Sequence, residues 1–170
     1  MGAKGWHTRG YLPHYDGPGV FQHVVFHLHD AVPRGERPGD DVLDRGHGCA
    51  VLRSEACARI VAEALLHDDG RKYLLHAWCV MPTHVHALVM TLDDHQLGQI
   101  VREWKTISAK RINSLTGRRG ALWAPDYFDR YMRDESHYES TKQYIERNPV
   151  SAGLCARPED WGHGSAGWAG

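Results

Sequence analysis

Apolar positions along the chain recur with two periods, one belonging to strands and one to helices. Val20–His29 alternates, placing Val24, Phe26 and Leu28 on one side and His27 and His29 on the other. Tyr73–Val80 and His84–Met90 are β-branched, apolar runs separated by the short turn Met81–Thr83, so they predict two adjacent strands. Tyr127–Arg133 predicts a short fourth strand. Between these segments the period lengthens. Leu52–His67 carries Ile60, Val61, Ala64 and Leu65 on one stripe and stops at Asp68-Asp-Gly70, which predicts an amphipathic helix. A second helix is predicted from about Gln96 to Leu115, capped by Asp93 or Asp94 and closed by Gly117. A third is predicted from about 137 to about 147. Ser136-His-Tyr-Glu139 has the form of a capping box before it, and Pro149 disfavours helical geometry in the residue that precedes it.

The order β-α-β-β-α-β followed by a helix predicts an α+β, ferredoxin-like fold, an antiparallel sheet with helices on one face. With 170 residues the chain suits one domain, read as an N-terminal arm over 1–19, a folded unit over 20–153 and a tail over 154–170. No internal repeat or low-complexity tract appears, and residues 30–48 read as a loop rich in Pro, Gly and Asp. No apolar stretch approaches the ~18 residues of a membrane span and no basic-then-apolar leader opens the chain, so a soluble cytoplasmic protein is expected. Cys49, Cys57, Cys79 and Cys155 show no CxxC spacing, which favours buried thiols over disulfides or zinc.

Charge changes the picture locally. The formal net charge is −1, which speaks against a uniformly basic surface. Between Arg102 and Arg119, however, six basic residues accompany a single acid, Glu103, and Arg130 and Arg133 form a smaller cluster. Such runs are commonly solvated helix faces; beside a phosphodiester-cleaving centre they become a backbone-binding surface.

The chemistry concentrates in two places. Within Cys79-Val-Met-Pro-Thr-His-Val-His-Ala-Leu-Val89, strand alternation puts His84 and His86 on one face about 7 Å apart, close enough to chelate one divalent cation, while Val85 faces the core. On the last helix Tyr144 and Asn148 stand at i and i+4 and project together. A tyrosine hydroxyl beside an amide oxygen, both aimed at two imidazoles, makes a nucleophile with a third metal ligand, a centre suited to attack on a phosphodiester. Tyr138 is the nearest rival, but it lies roughly 240° around the helix from Tyr144 and its i+4 neighbour is Lys142. Tyr127 and Tyr131 read as packing in or beside the sheet. His27-Leu-His29 is a second His-x-His pair without a tyrosine partner, read as lining the open sheet face.

These motifs together resemble the REP-associated tyrosine transposases, a branch of the HUH single-strand DNA transposases with one catalytic tyrosine. The resemblance runs from about Trp6 to Leu154 and is carried by Arg9-Gly-Tyr-Leu-Pro-His14, Val80-Met-Pro-Thr-His-Val-His86, Trp104-Lys-Thr-Ile-Ser-Ala-Lys-Arg-Ile-Asn113, Trp123 with Asp126-Tyr-Phe-Asp-Arg130, and Tyr144-Ile-Glu-Arg-Asn-Pro-Val150. It implies Tyr144 as nucleophile and His84, His86 and Asn148 as ligands of Mg²⁺ or Mn²⁺. It also implies a single-stranded DNA partner carrying a hairpin, read beside a short guide tetranucleotide, and a 5′-phosphotyrosine intermediate that allows strand transfer. Arg9, Tyr11, His14, Trp104, Lys105, Lys110, Arg111 and Arg130 are the expected DNA contacts, in a monomer or a homodimer. Thr83 departs from the asparagine that many relatives carry there, a change expected to matter little to the chemistry. The alternative is a catalytically silent protein that binds DNA hairpins sequence-specifically; Tyr144, His84 and His86, where such a descendant would be expected to drift, are all present.

Overall fold

A computed structural model describes residues 5–8, 13–16 and 19–170, except the side chains of 7, 8 and 13–16. In the segment expected to be an arm, β1 (Gly5–Thr8) and β2 (Pro13–Asp16) pair antiparallel. The main sheet contains β3 (Gln22–His27), β4 (Tyr73–Val80), β5 (His84–Thr91) and β6 (Phe128–Tyr131), ordered β4-β5-β3-β6 with every neighbouring pair antiparallel. The helices are α1 (Asp40–Leu43), α2 (Glu55–Leu66), α3 (Leu97–Thr116) and α4 (Glu135–Ser151). Reading β3-α2-β4-β5-α3-β6 recovers the predicted α+β, ferredoxin-like order, with α1 as an extra turn of helix inside the Pro/Gly/Asp-rich loop.

Alternation decides which side chains meet which helices. Val24 and Phe26 of β3 and Val85, Ala87 and Val89 of β5 are buried against α2 (Val61, Leu65) and α3 (Ile100, Val101, Trp104, Ile112). Polar tips inside this layer are bonded: the Trp104 indole N–H donates to the Tyr73 hydroxyl at 2.9 Å, which donates to the Leu65 carbonyl at 2.7 Å. The opposite sheet face is covered too. Cys79, Leu88 and Met132 pack there against Ile145 of α4. Residues 163–165 dock on the free edge of β4, where the Val80 N–H donates to the His163 carbonyl and the Ser165 N–H to the Trp78 carbonyl, both at 2.8 Å.

Helix ends depart from expectation in three places. The α3 helix starts at Leu97 after Gln96, not under a side-chain cap from Asp93 or Asp94; Asp93 instead takes a left-handed turn with φ of 49°. The cap of α4 is Asp134, whose carboxylate accepts the His137 N–H at 2.7 Å, and not Ser136. The same helix passes through Pro149 to Ser151 and does not stop at 147. Burial of Ile145, Asn148 and Pro149 holds this last turn on the sheet and outweighs the local bias against helix before proline. Gly117 closes α3 in the left-handed conformation, φ 68°, as its sequence position predicts. Among the described residues no helix is long and apolar enough to cross a membrane.

Candidate active site

His84 and His86 begin β5 on the face that α4 covers, and both are 0% exposed. Their rings lie 5.0 Å apart, nearer than the backbone repeat requires. Each ring is bonded on its Nδ1 side. The Thr83 hydroxyl donates to the Leu43 carbonyl at 2.8 Å, so it is left to accept from His84 Nδ1–H at 3.0 Å. His86 Nδ1 lies 2.9 Å from His23 Nε2 on the adjacent strand β3. With the proton on His86 Nδ1 and donated to His23, both active-strand histidines carry an Nε2 lone pair. Burial lowers His84 to about 3, with His27 adding to the effect, and lowers His23 to about 4; it holds His86 well below the usual imidazole range. Near neutral pH the rings are therefore uncharged, the form that ligates metal.

Three buried polar atoms here lack a hydrogen-bond partner: His84 Nε2, His86 Nε2 and Asn148 Oδ1. An orphaned buried acceptor is costly, and two imidazole nitrogens and an amide oxygen are the kinds of atom that ligate a divalent ion. Asn148, 3% exposed, sits one turn below Tyr144, which is 43% exposed at the rim of the same face. The Tyr144 ring meets His86 edge-on at 5.8 Å and His23 at 6.0 Å. From there it opens onto a cleft of about 1190 Å³ between α4, the β6 edge and the loop before α1, lined also by Arg37, Asp40, Phe128 and Arg130.

Two acids from the α1 segment face the imidazoles. Asp40 Oδ1 lies 3.8 Å from His86 Nε2 and Asp44 Oδ1 lies 3.7 Å from His84 Nε2. Burial raises both carboxyls, Asp44 to about 6, and neighbouring acids (Asp41 for Asp40; Asp40 and Asp41 for Asp44) push the same way.

The structure brings Tyr144, His84 and His86 together, keeps Asn148 buried one turn along the helix from Tyr144, and leaves several expected DNA contacts elsewhere. Arg130 lines the cleft. Trp104 is 2% exposed within the α2–α3 layer, so its expected role in stacking on bases gives way to core packing. The Lys105 ammonium is turned inward, donating to the Ala124 and Asp126 carbonyls at 2.8 Å each, and so clamps the loop at the cleft wall where a phosphate contact was expected. Lys110 and Arg111 are exposed on α3, behind the sheet and outside the cleft, with Arg111 paired to Glu63 at 2.7 Å. Arg9 and Tyr11 lie outside the described residues, as does the His14 side chain. The rival Tyr138 shares a hydrogen bond with His76 Nδ1 at 2.6 Å and packs on Phe21. His27 stands opposite His84 in the β3–β5 register, on a face that is partly covered and not open.

Three participants escape a reading of the sequence. His23 shares the His27 face of β3, four residues earlier, and that alternation is its one sequence signal. Thr83 adds a contact to the site, its hydroxyl lying between the Leu43 carbonyl and His84 Nδ1. Asp40 sits in a loop with no periodicity, and only folding brings it to the histidines.

Residues 54–148 match the family model described as "Transposase IS200 like". The REP-associated tyrosine transposase of Escherichia coli (strain K12) is 28% identical over 91 residues, 54% of this chain and 53% of that protein. The chain thus spans about half the length of that curated relative. A solved structure of a REP-associated tyrosine transposase bound to a REP hairpin superposes with a TM-score of 0.64 at 20% identity, covering 93% of this chain and 82% of that one. At that identity the likeness is one of fold.

Proposed function

The chain belongs to the IS200-like transposase family, and on that premise we propose that it is a metal-dependent endonuclease and strand transferase acting on single-stranded, hairpin-bearing, REP-like DNA. The observation that carries this reading is the pair of orphaned buried imidazole nitrogens, His84 Nε2 and His86 Nε2, with the rim tyrosine Tyr144 edge-on to His86 and the buried, unpartnered Asn148 Oδ1 one turn along the same helix. These atoms suit Mg²⁺ or Mn²⁺, which when bound would polarise the scissile phosphate and neutralise charge developing on it.

The protein's own residues supply the rest. Thr83 accepts the Nδ1 proton of His84, and His23 stands within hydrogen-bond distance of His86 Nδ1, where accepting its proton would leave both Nε2 lone pairs free for the ion. Tyr144, on the same helix face as Asn148, presents its oxygen at the cleft mouth. Its Oη–P bond forms as the P–O3′ bond breaks, giving a 5′-phosphotyrosine; the phenolic proton is released and the departing O3′ takes one up as a free 3′-hydroxyl. Attack by the 3′-hydroxyl of another strand reverses these bonds and joins the strands. In the cleft, Arg37 and Arg130 offer charge to the backbone and Phe128, 42% exposed, offers a ring to an unpaired base. All four centre residues come from one chain, so a monomer suffices to build the site.

The test is a labelled hairpin-bearing single strand incubated with the protein and Mn²⁺, followed by denaturing electrophoresis. The wild type and Tyr138→Phe should give a covalent adduct, Tyr144→Phe none, and peptide mass analysis should place the DNA on Tyr144. Absence of any wild-type adduct, or DNA attached to Tyr138, overturns the reading.

A further inference from the structure

We propose that Asp40 is a further metal ligand, the carboxylate that joins His84 and His86 around the divalent cation. This rests on the metal-dependent reading above and adds to it a residue from a separate element, the first residue of α1.

Geometry is the first support. One carboxylate oxygen of Asp40 and one nitrogen from each of His84 and His86 all lie within 4.8 Å of one another, with 3.8 Å between Asp40 Oδ1 and His86 Nε2. Ligands of one Mg²⁺ or Mn²⁺ at about 2.1 Å from the ion stand roughly 3–4 Å apart, so a small inward movement of the loop completes the set. Both imidazole nitrogens in this set are fully buried and make no hydrogen bond.

Charge is the second support. Two imidazoles and an amide are all neutral, and they leave a hard dication uncompensated; hard cations are held chiefly by carboxylate oxygen. Asp40 is half-buried, yet among the described residues no lysine or arginine pairs with it, and Arg45 pairs with Asp41 on the solvent side. Asp44 is likewise without a lysine or arginine partner. Two carboxylates facing uncharged rings with no basic partner leave negative charge that a bound cation would balance. Asp40 is preferred over Asp44 because its oxygen lies within 4.8 Å of a nitrogen on each ring, whereas Asp44 stands beside His84, 3.7 Å from its Nε2.

The proposal is tested by Mn²⁺ titration without DNA, followed by calorimetry and by the electron paramagnetic resonance signal of free Mn²⁺. Asp40→Asn and Asp40→Ala should each weaken binding by at least about tenfold, the lower bound for loss of even an outer partner. Asp41→Asn, exposed and turned to Arg45, should keep wild-type affinity. Melting curves in chelator establish that each variant is folded. If His86→Ala loses Mn²⁺ while both Asp40 variants bind as the wild type does, the Asp40 assignment fails and the metal reading stands. A larger loss from Asp44→Asn than from Asp40→Asn also overturns it. If the wild type binds no Mn²⁺, or His86→Ala binds unchanged, the metal-dependent reading itself fails.

Discussion

Replacing Thr83 by valine keeps side-chain volume and branching but deletes the hydroxyl that links the Leu43 carbonyl to His84 Nδ1. The Leu43 carbonyl keeps a second donor, the Gly46 N–H at 3.2 Å, so losing the hydroxyl there costs one neutral bond, about 0.5–1.5 kcal/mol. On the His84 side a buried N–H would be stranded at about 1–3 kcal/mol, unless the proton moves to Nε2 and faces Asp44, 3.7 Å away. That escape limits the total to about 1–3 kcal/mol, a fall in Tm of roughly 3–10 °C for a chain of this size. The same escape puts a proton on the nitrogen that should ligate metal. Metal affinity should therefore drop by about 10–100-fold, more than the modest stability loss alone suggests. Thr83→Ser, which restores the hydroxyl, should recover most of the affinity. Circular-dichroism melts in chelator give the first quantity and Mn²⁺ titration the second. Wild-type Mn²⁺ affinity in Thr83→Val would refute the claim that this hydroxyl sets the tautomer.

Two further outcomes separate the cleft from the rest of the surface. Arg37→Ala with Arg130→Ala should lower the salt dependence of single-strand binding by about 0.7 in log–log slope per lost phosphate contact, while Lys110→Ala with Arg111→Ala should leave it near wild type. The reverse pattern would move the DNA path onto α3. Lys105 provides a pH test: burial lowers it to about 8 from 10.5, against a smaller upward pull from Asp126. Between those values the unfolded chain retains a proton that the folded chain has released, so stability at this position rises with pH. Urea melts from pH 8 to 10 should show the wild type gaining on Lys105→Met by up to about 1.4 kcal/mol per pH unit. Parallel curves would mean that the ammonium is solvated and free to meet phosphate.

Much of this protein is legible from local pattern, because strand and helix periods follow from backbone geometry that each segment carries by itself. Alternation placed Val85 inward with His84 and His86 opposite, and the i, i+4 spacing put Tyr144 over Asn148; both relations hold in the fold. Local rules failed where packing competes with them. Pro149 lies inside α4 because its neighbours are buried on the sheet, and Lys105 turns inward although its setting is basic and polar. Other features belong to tertiary structure alone. The β4-β5-β3-β6 order brings His23 beside His86 from 63 residues away, and the start of α1, inside the long loop, carries Asp40 to the histidines. A hydrogen bond across strands and a carboxylate supplied by a loop leave no periodic trace, since neither depends on a residue's own backbone conformation. The chain by itself determined which residues could be nucleophile and ligands; the fold decided how deeply they are buried, which tautomers they hold and which acids stand beside them.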